Sequence, residues 1–383
     1  MPFIHDEANF SQEKIRERAR LHGFSDPIPV EFFLWDCEIA AQLQNESEAF
    51  ILKGGTAVQL HLPIESQRAS IDIDVVCPFK EGDIAEVLSH IHERNPTFEF
   101  EKYMPKRPKK DIKMITYLAK MPALIPSESG TRAVKIDFLL EDLKLPVEAV
   151  ANVETFALKV KKLDCYSVSS LVGDKLLTLA ENTVGIIEPA DIPKQIYDVS
   201  VLTEETKLTE KQLSEIIAVI DLLTPLEAGY RGLKLTAIDA LNDVEKTIEK
   251  YCLLDTPVAD SSIKNNIVIF QQTYVRSSQK KPWFEWSIRA LRIKLLCQYI
   301  RAVVGKQLAL EEASKSYDLA AQMARVLENM TGEEVKLIRS KLMGFIRTDL
   351  PYRKHLKGKP IHRLFWQAVN LENLAALLDS IKI

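Results

Sequence analysis

The sequence predicts an α+β protein, with a small mixed sheet in its first half and an all-helical second half. Three observations lead there. Strand-like alternation of β-branched and apolar residues runs from about residue 50 to about 160. From "SVSSLVGDKLLTLAENT" onward nearly every segment has the 3.6-residue period of a helix instead. At 383 residues the chain is also long enough for two domains.

The elements follow in order. "SQEKIRERARLHG" has Ser11 as N-cap and Gly23 as stop, and "PVEFFLWDCEIAAQLQNE" predicts a second helix. "AFILKGG" is a short apolar strand ending in a glycine turn, "TAVQLHL" a brief helix, and "SIDIDVVC" a strand. "EGDIAEVLSHIHERN" has the helical period. "TFEFEKYM" and "KMITYLAKM" predict an antiparallel pair around the basic turn "PKRPKKD", and "RAVKIDFLL" adds another strand. The expected divisions are helices over 1–47 packing on a core over 48–165, then a helical region over 166–383.

Composition removes several classes of function. No apolar run reaches eighteen residues, and the first twenty residues carry acids with no apolar stretch, so neither a spanning helix nor a signal peptide is expected. Five scattered cysteines without a CxxC predict reduced thiols in a cytoplasmic protein with no membrane partner. The net charge of −4 excludes a uniformly basic nucleic-acid coat but leaves room for local patches. Three candidates are Pro105–Lys113, Pro351–Arg363, and Arg276 with Lys280 and Lys281 beside Trp283 and Trp286. The two tryptophans, three apart on a helix, are read as core. There is no P-loop, HExxH or GxSxG, and His90 and His92 point to different helix faces.

Asp72 and Asp74 are two apart on a strand and so share one face, about 7 Å apart. Carboxylates so placed repel unless a cation lies between them, and a Mg²⁺ pair suits oxygen ligands that work with substrate phosphates. Asp137, on a later strand between Ile136 and Phe138, is a third carboxylate for the same site. Two acids on an alternating strand are otherwise a plain solvent face. Here Gly54-Gly55-Thr56 precede them, ending a strand and opening a helix, where backbone N–H groups can meet an anion.

A glycine turn, a helix and then D-x-D resembles the polymerase-β-like nucleotidyltransferases, and more closely their AbiEii/AbiGii branch, which includes the MenT toxins. The resemblance rests on "LKGGTAVQL", on "RASIDIDV" with Arg68 and Ser70, on "VKIDFLL" with Lys135 and Asp137, and on "LVGDKLLTLAENT…PKQIYDVSVL" with Lys175 and Asp198. It spans residues 50–200. It implies a polymerase-β-like catalytic domain in which Gly54, Gly55 and Thr56 hold the NTP triphosphate and Asp72, Asp74 and Asp137 bind Mg²⁺, with Mn²⁺ as the alternate. Lys175 would contact phosphates, and Asp198 would orient Lys175 or the acceptor. The implied activity is transfer of an NMP to an acceptor hydroxyl, with the tRNA 3′ end as favoured acceptor, by the toxin of a toxin–antitoxin or phage-defence pair. A cognate antitoxin is an implied partner. The sequence departs from the pattern in Thr56, where the superfamily often has Ser, and in the fifteen residues between Thr56 and Asp72. Open alternatives are a protein side chain as acceptor, a non-catalytic nucleotide- or RNA-binding module, and a helical interaction protein.

Overall fold

The computed structural model describes residues 3–104 and 112–381, so the basic turn expected over 105–111 lies outside the described residues. The chain forms two compact units, Met1–Leu171 with Ile269–Lys280, and Val172–Val268 with Lys281–Ile383.

In the first unit, α1 (Gln12–Leu21) is capped by Ser11, whose Oγ accepts from the Lys14 N–H at 3.2 Å. Gly23 then takes φ +74° and turns the chain. The strands are β1 (Ile51–Lys53), β2 (Asp72–Cys77), β3 (Glu99–Tyr103), β4 (Met114–Pro122), β5 (Thr131–Leu140), β6 (Val147–Glu154) and β7 (Lys159–Tyr166). They form one sheet in the order β3-β4-β5-β2-β1-β7-β6. β2 runs parallel to β5, and β1 to β7; the other neighbours are antiparallel. The mixed sheet is as expected, but it extends past residue 160. The added β6–β7 hairpin escaped sequence reading because β6 is an edge strand with mostly exposed side chains, which leaves no alternating apolar pattern.

Helices α2 (Ile28–Glu46), α3 (Gly54–Leu60) and α4 (Glu81–Arg94) complete the unit's regular structure before the sheet ends. α2 is buried on every side from Val30 to Leu43 apart from half-buried Phe32, and so carries acids into the core. Glu31 accepts from the Leu124 N–H at 2.6 Å and from Arg132 Nε at 2.8 Å. Glu38 accepts from the N–H groups of Ile4 and His5, at 2.7 and 3.0 Å, and from Gln42 at 2.8 Å. Residues 269–280 return to this unit from far along the sequence. Tyr274 O accepts from the Ala69 N–H at 2.8 Å, Gly23 O accepts from the Ser277 N–H at 3.2 Å, and Arg276 donates to Ile64 O.

The second unit is helical throughout its described residues. Its helices are the greater part of α5 (Val168–Thr178), then α6 (Ile192–Glu205), α7 (Glu210–Gly229), α8 (Ala237–Tyr251) and the start of α9 (Ser261–Thr273). They continue with α10 (Trp283–Val304), α11 (Leu310–Glu328), α12 (Glu334–Phe345), α13 (Arg353–Leu356), α14 (Ile361–Ala368) and α15 (Leu374–Ile381). Thr209 with Gln212, and Thr236 with Asp239, form capping boxes that start α7 and α8. Of the two tryptophans expected in the core, Trp286 of α10 is fully buried and Trp283 only half-buried.

Two of the basic runs are less available than their sequence suggests. Arg276 is buried in the first unit. In the second unit Arg363 is buried, with Nη2 3.0 Å from Asp255 Oδ1, and Arg353 donates to the carbonyls of Met343 and Ile346. These guanidiniums satisfy internal acceptors, so only the lysines Lys280, Lys354 and Lys357 remain as exposed charges of those runs. No helix among the described residues is long and apolar enough to cross a membrane.

All five cysteines are free and buried. Burial pushes the thiols of Cys165 and Cys252 up to about 12 and that of Cys77 to about 11. Because the thiolate is the reactive form, a disulfide-exchange reagent should label almost no thiol in the native protein and all five in denaturant. Rapid native labelling of even one would contradict this packing.

Candidate functional site

Strand pairing brings the acids of the first unit together. In the parallel pair β2–β5, Asp74 faces Asp137 and Asp72 faces Lys135. β1 places Lys53 opposite Asp74, and β4 places Thr116 opposite Asp137. The result is a lateral row, Lys53–Asp74–Asp137–Thr116, with Asp72 and Lys135 on the same face two residues back. Ile73, between the two aspartates, is fully buried on the other face. The alternation read as Asp-x-Asp thus separates a charged face from a core face.

Neighbouring parallel strands put such carboxylates about 5 Å apart, where two like charges repel by about 3 kcal/mol at an effective dielectric near 20. Lys135 offsets this. Its Nζ lies 2.5 Å from Asp137 Oδ2, and Thr116 Oγ1 donates to Asp137 Oδ1 at 2.6 Å. Burial works against the Lys135 charge, but the hydrogen bond and charge of Asp137, with those of Asp74 and Asp72, hold its ammonium above the ordinary lysine range.

The glycine turn is built around these side chains. Gly54 has φ +71°, and a Cβ there would lie 1.9 Å from Asp74 Oδ2. Its missing side chain is therefore the space that the Asp74 carboxylate occupies. A Cβ on Gly55 would lie 2.7 Å from Ser70 Oγ and 3.2 Å from Arg68 Nη2. That contact gives the Arg68 and Ser70 of the "RAS" segment a physical reason to precede the aspartates. Arg68 is itself buried, with Nη1 donating to Ala69 O at 2.7 Å. Thr56 is fully buried, and its hydroxyl stands 3.0 Å from Asp72 O and 3.2 Å from Asp36 Oδ2.

Asp36 is the residue that sequence reading missed. It lies on α2, fully buried, and its Oδ1 has no hydrogen-bond partner among the described residues. Burial raises its pKa well above the ordinary carboxylate range; the charge of Asp72 and, to a lesser degree, that of Asp74 add to this, against the Thr56 hydrogen bond. The geometry agrees with a protonated Asp36. Thr56 has one proton for two acceptors, Asp36 Oδ2 and the Asp72 carbonyl, so an ionised Asp36 would share its one donor while its Oδ1 has none. The signal in the sequence was an acid inside "FFLWDCEIA", where an unpaired carboxylate has no place.

Lys175 and Asp198 pair in the second unit. Lys175 Nζ donates to Gln195 Oε1 at 2.8 Å and lies 3.3 Å from Asp198 Oδ2, with both side chains buried. The expected site residues thus gather as two groups: Gly54, Gly55, Thr56, Asp72, Asp74 and Asp137 in the first unit, Lys175 and Asp198 in the second.

Among the described residues no group of three His, Cys, Asp or Glu side chains is arranged to hold a metal ion. Both oxygens of Asp137 are engaged, by Thr116 and by Lys135. The donor set is nonetheless all oxygen, and two carboxylates together with substrate phosphates are a usual way to bind Mg²⁺. On that ground Asp72 and Asp74 fit the ion, whereas Asp137 would have to give up Thr116 or Lys135 to join them.

Residues 39–244 match the family described as Nucleotidyl transferase AbiEii toxin, Type IV TA system. No curated protein is significantly similar in sequence. Among solved structures, the nucleotidyltransferase toxin MenT4 of Mycobacterium tuberculosis is similar at 14% identity and a TM-score of 0.45, over 82% of this chain and 98% of that one. JHP933 of Helicobacter pylori is similar at 11% identity and a TM-score of 0.42, over 79% and 95%. An antigenic nucleotidyltransferase-like protein of Paracoccidioides brasiliensis is similar at 14% identity and a TM-score of 0.32, over 51% and 91%.

Two substitutions test the site's construction. Gly54→Ala forces either the Asp74 carboxylate or the turn to move, and a non-glycine residue in this backbone region adds strain. Urea unfolding should show a loss of about 1–3 kcal/mol. Asp36→Asn removes a group whose pKa is raised by folding. The native state holds that proton above pH 3.8, where the unfolded chain has lost it, so wild-type stability falls as pH rises through this window. Relative to Asp36→Asn, wild type should lose up to about 1.4 kcal/mol per pH unit until the native pKa is passed, so the variant gains at pH 8 over pH 5. A pH-independent difference would contradict a protonated Asp36.

Proposed function

The chain belongs to the AbiEii family, the nucleotidyltransferase toxins of type IV toxin–antitoxin systems, and from that premise we propose that it transfers an NMP from an NTP to the 3′ end of tRNA. The observation that carries the site assignment is the row of Asp72, Asp74 and Asp137 on one sheet face, with the Gly54 turn closed against Asp74.

In this reading Asp72 and Asp74 hold Mg²⁺, or Mn²⁺ in its place, together with the NTP phosphates, and Asp137 is the third carboxylate. The bound ions supply charge neutralisation on the oxygens that attack and leave. The Gly54–Gly55 turn receives the triphosphate at the start of α3, while buried Thr56 acts by fixing the Asp72 backbone through its 3.0 Å hydrogen bond. Lys135 is poised to exchange Asp137 for a phosphate oxygen, since its charge is favoured by three carboxylates whose own charge the ions would neutralise. Lys175 is assigned to the phosphates on the family pattern, with Asp198 and Gln195 orienting its ammonium.

The acceptor hydroxyl oxygen bonds to the α-phosphorus, the bond from that phosphorus to the bridging oxygen breaks, and pyrophosphate leaves. The hydroxyl proton passes to Asp137. The protein's work is positioning and charge. The RNA acceptor is supported by the family's resemblance to RNA-modifying toxins and by the exposed Lys354 and Lys357, not by the buried arginines. A cognate antitoxin is the expected second partner.

The test is a panel of purified protein, Mg²⁺, each α-labelled NTP and total tRNA, with a protein fraction in parallel. Label should reach tRNA with one or more NTPs and fall by at least about a hundredfold in Asp72→Ala, as expected when a metal-binding carboxylate is lost. Label on protein alone would replace the acceptor. No label from folded protein with any NTP would remove the transfer assignment to these residues.

A further inference from the structure

Helices α6, α10, α11 and α14 of the second unit enclose a cavity of about 400 Å³ that shares no lining residue with the candidate site. The small side chains Ala321 and Ala324, three apart on α11, leave the space open opposite α10. Its deep side is cationic. Arg289 and Arg292, also three apart and so on one face of α10, are 5% and 6% exposed.

Arg289 is unusual for a buried charge. Its guanidinium lies 4.6 Å from the ring centroid of Tyr197 and 5.4 Å from that of Trp286, and burial lowers its pKa against the opposing charges of Tyr197 and Glu285. No acceptor among the described residues takes a hydrogen bond from its Nη1. No carboxylate among them forms an ion pair with it either, whereas two other buried arginines of this unit are paired, Arg363 with Asp255 and Arg292, through Nη1, with Glu204. Arg292 Nε also has no acceptor. A buried guanidinium without a counter-charge is costly, and an arriving anion relieves that cost.

None of the four acids of the lining forms an ion pair with Arg289: Glu204 is taken by Arg292, Glu285 acts on Arg289 by its charge alone and lies 3.7 Å from His362 Nε2, and Glu205 and Glu328 are exposed. Two guanidiniums on one helix face offer several fixed donors to one tetrahedral group, which suits a phosphate. The volume exceeds that of a bare ion and falls within the range of small-molecule sites, and Trp366 supplies a flat ring on the wall. We propose that this cavity is a second ligand site, which binds the phosphate group of a phosphomonoester of about nucleotide size through Arg289 and Arg292.

The test uses the full chain, with inorganic phosphate titrated calorimetrically against chloride at constant ionic strength. Wild type and Asp72→Ala should bind saturably and alike. Arg289→Met should bind at least about tenfold more weakly, as expected for lost hydrogen bonds to a charged group. Without phosphate, Arg289→Met should unfold at the same temperature as wild type or higher, because a desolvated, unpaired charge is gone; a purely structural arginine would give the opposite. Ala321→Phe, which fills the cavity and leaves both arginines in place, should weaken binding by a similar factor. Non-saturable uptake by wild type, or wild-type affinity in either variant, overturns the proposal. Tighter binding of 5′-AMP than of phosphate would identify a mononucleotide as the source. Binding of a 5′-phosphorylated oligoribonucleotide but not its 5′-hydroxyl form would identify an RNA end.

Discussion

Repulsion among carboxylates on one sheet face is the constraint around which the first unit is arranged. The parallel pairing of β2 and β5 sets Asp74 beside Asp137, with Asp72 two residues along the same face, and the buried Asp36 adds a fourth acid. Lys135 answers part of the charge, burial and the neighbouring carboxylates hold the pKa of Asp36 up, and Gly54 gives Asp74 room. Each device is local, and none replaces another. A cation bound between these carboxylates would convert mutual repulsion into shared attraction.

The second theme is the different treatment of acids on α2. Glu31 and Glu38 are enclosed by donors, and those hydrogen bonds offset part of the cost of burying them. Asp36 sits between them in sequence and has one oxygen without a partner. Its link to the Asp72 backbone through Thr56 makes it part of the candidate site's foundation and not of the helix's own packing.

What the sequence revealed and what it hid follow from the range of the interactions. The glycine turn, Asp72, Asp74 and Asp137 were legible because they stand in short motifs with fixed spacing. Ser11 and Gly23 were legible because helix caps are local. Asp36 was hidden because its meaning depends on a strand more than thirty residues away, and the β6–β7 hairpin because an exposed edge strand need not alternate. Arg276 and Arg363 misled for the opposite reason. They stand in basic runs, yet their partners Ile64 and Asp255 lie far off in sequence, and burial turned apparent surface charge into internal bonds.

The return of residues 269–280 to the first unit bears on the order in which the protein can be made. Until Tyr274 and Arg276 have been synthesised, the Ala69 N–H and the Ile64 carbonyl lack their partners, beside the segment that leads into β2. The missing piece comes about a hundred residues after Leu171, a delay on the order of 5–20 s at ordinary ribosome speeds. During that interval the nascent chain already contains the whole aspartate row but not the segment that braces it. A ribosome stalled between those points would therefore display the candidate site without the segment that braces it, and the first unit is complete only once Lys280 has been added.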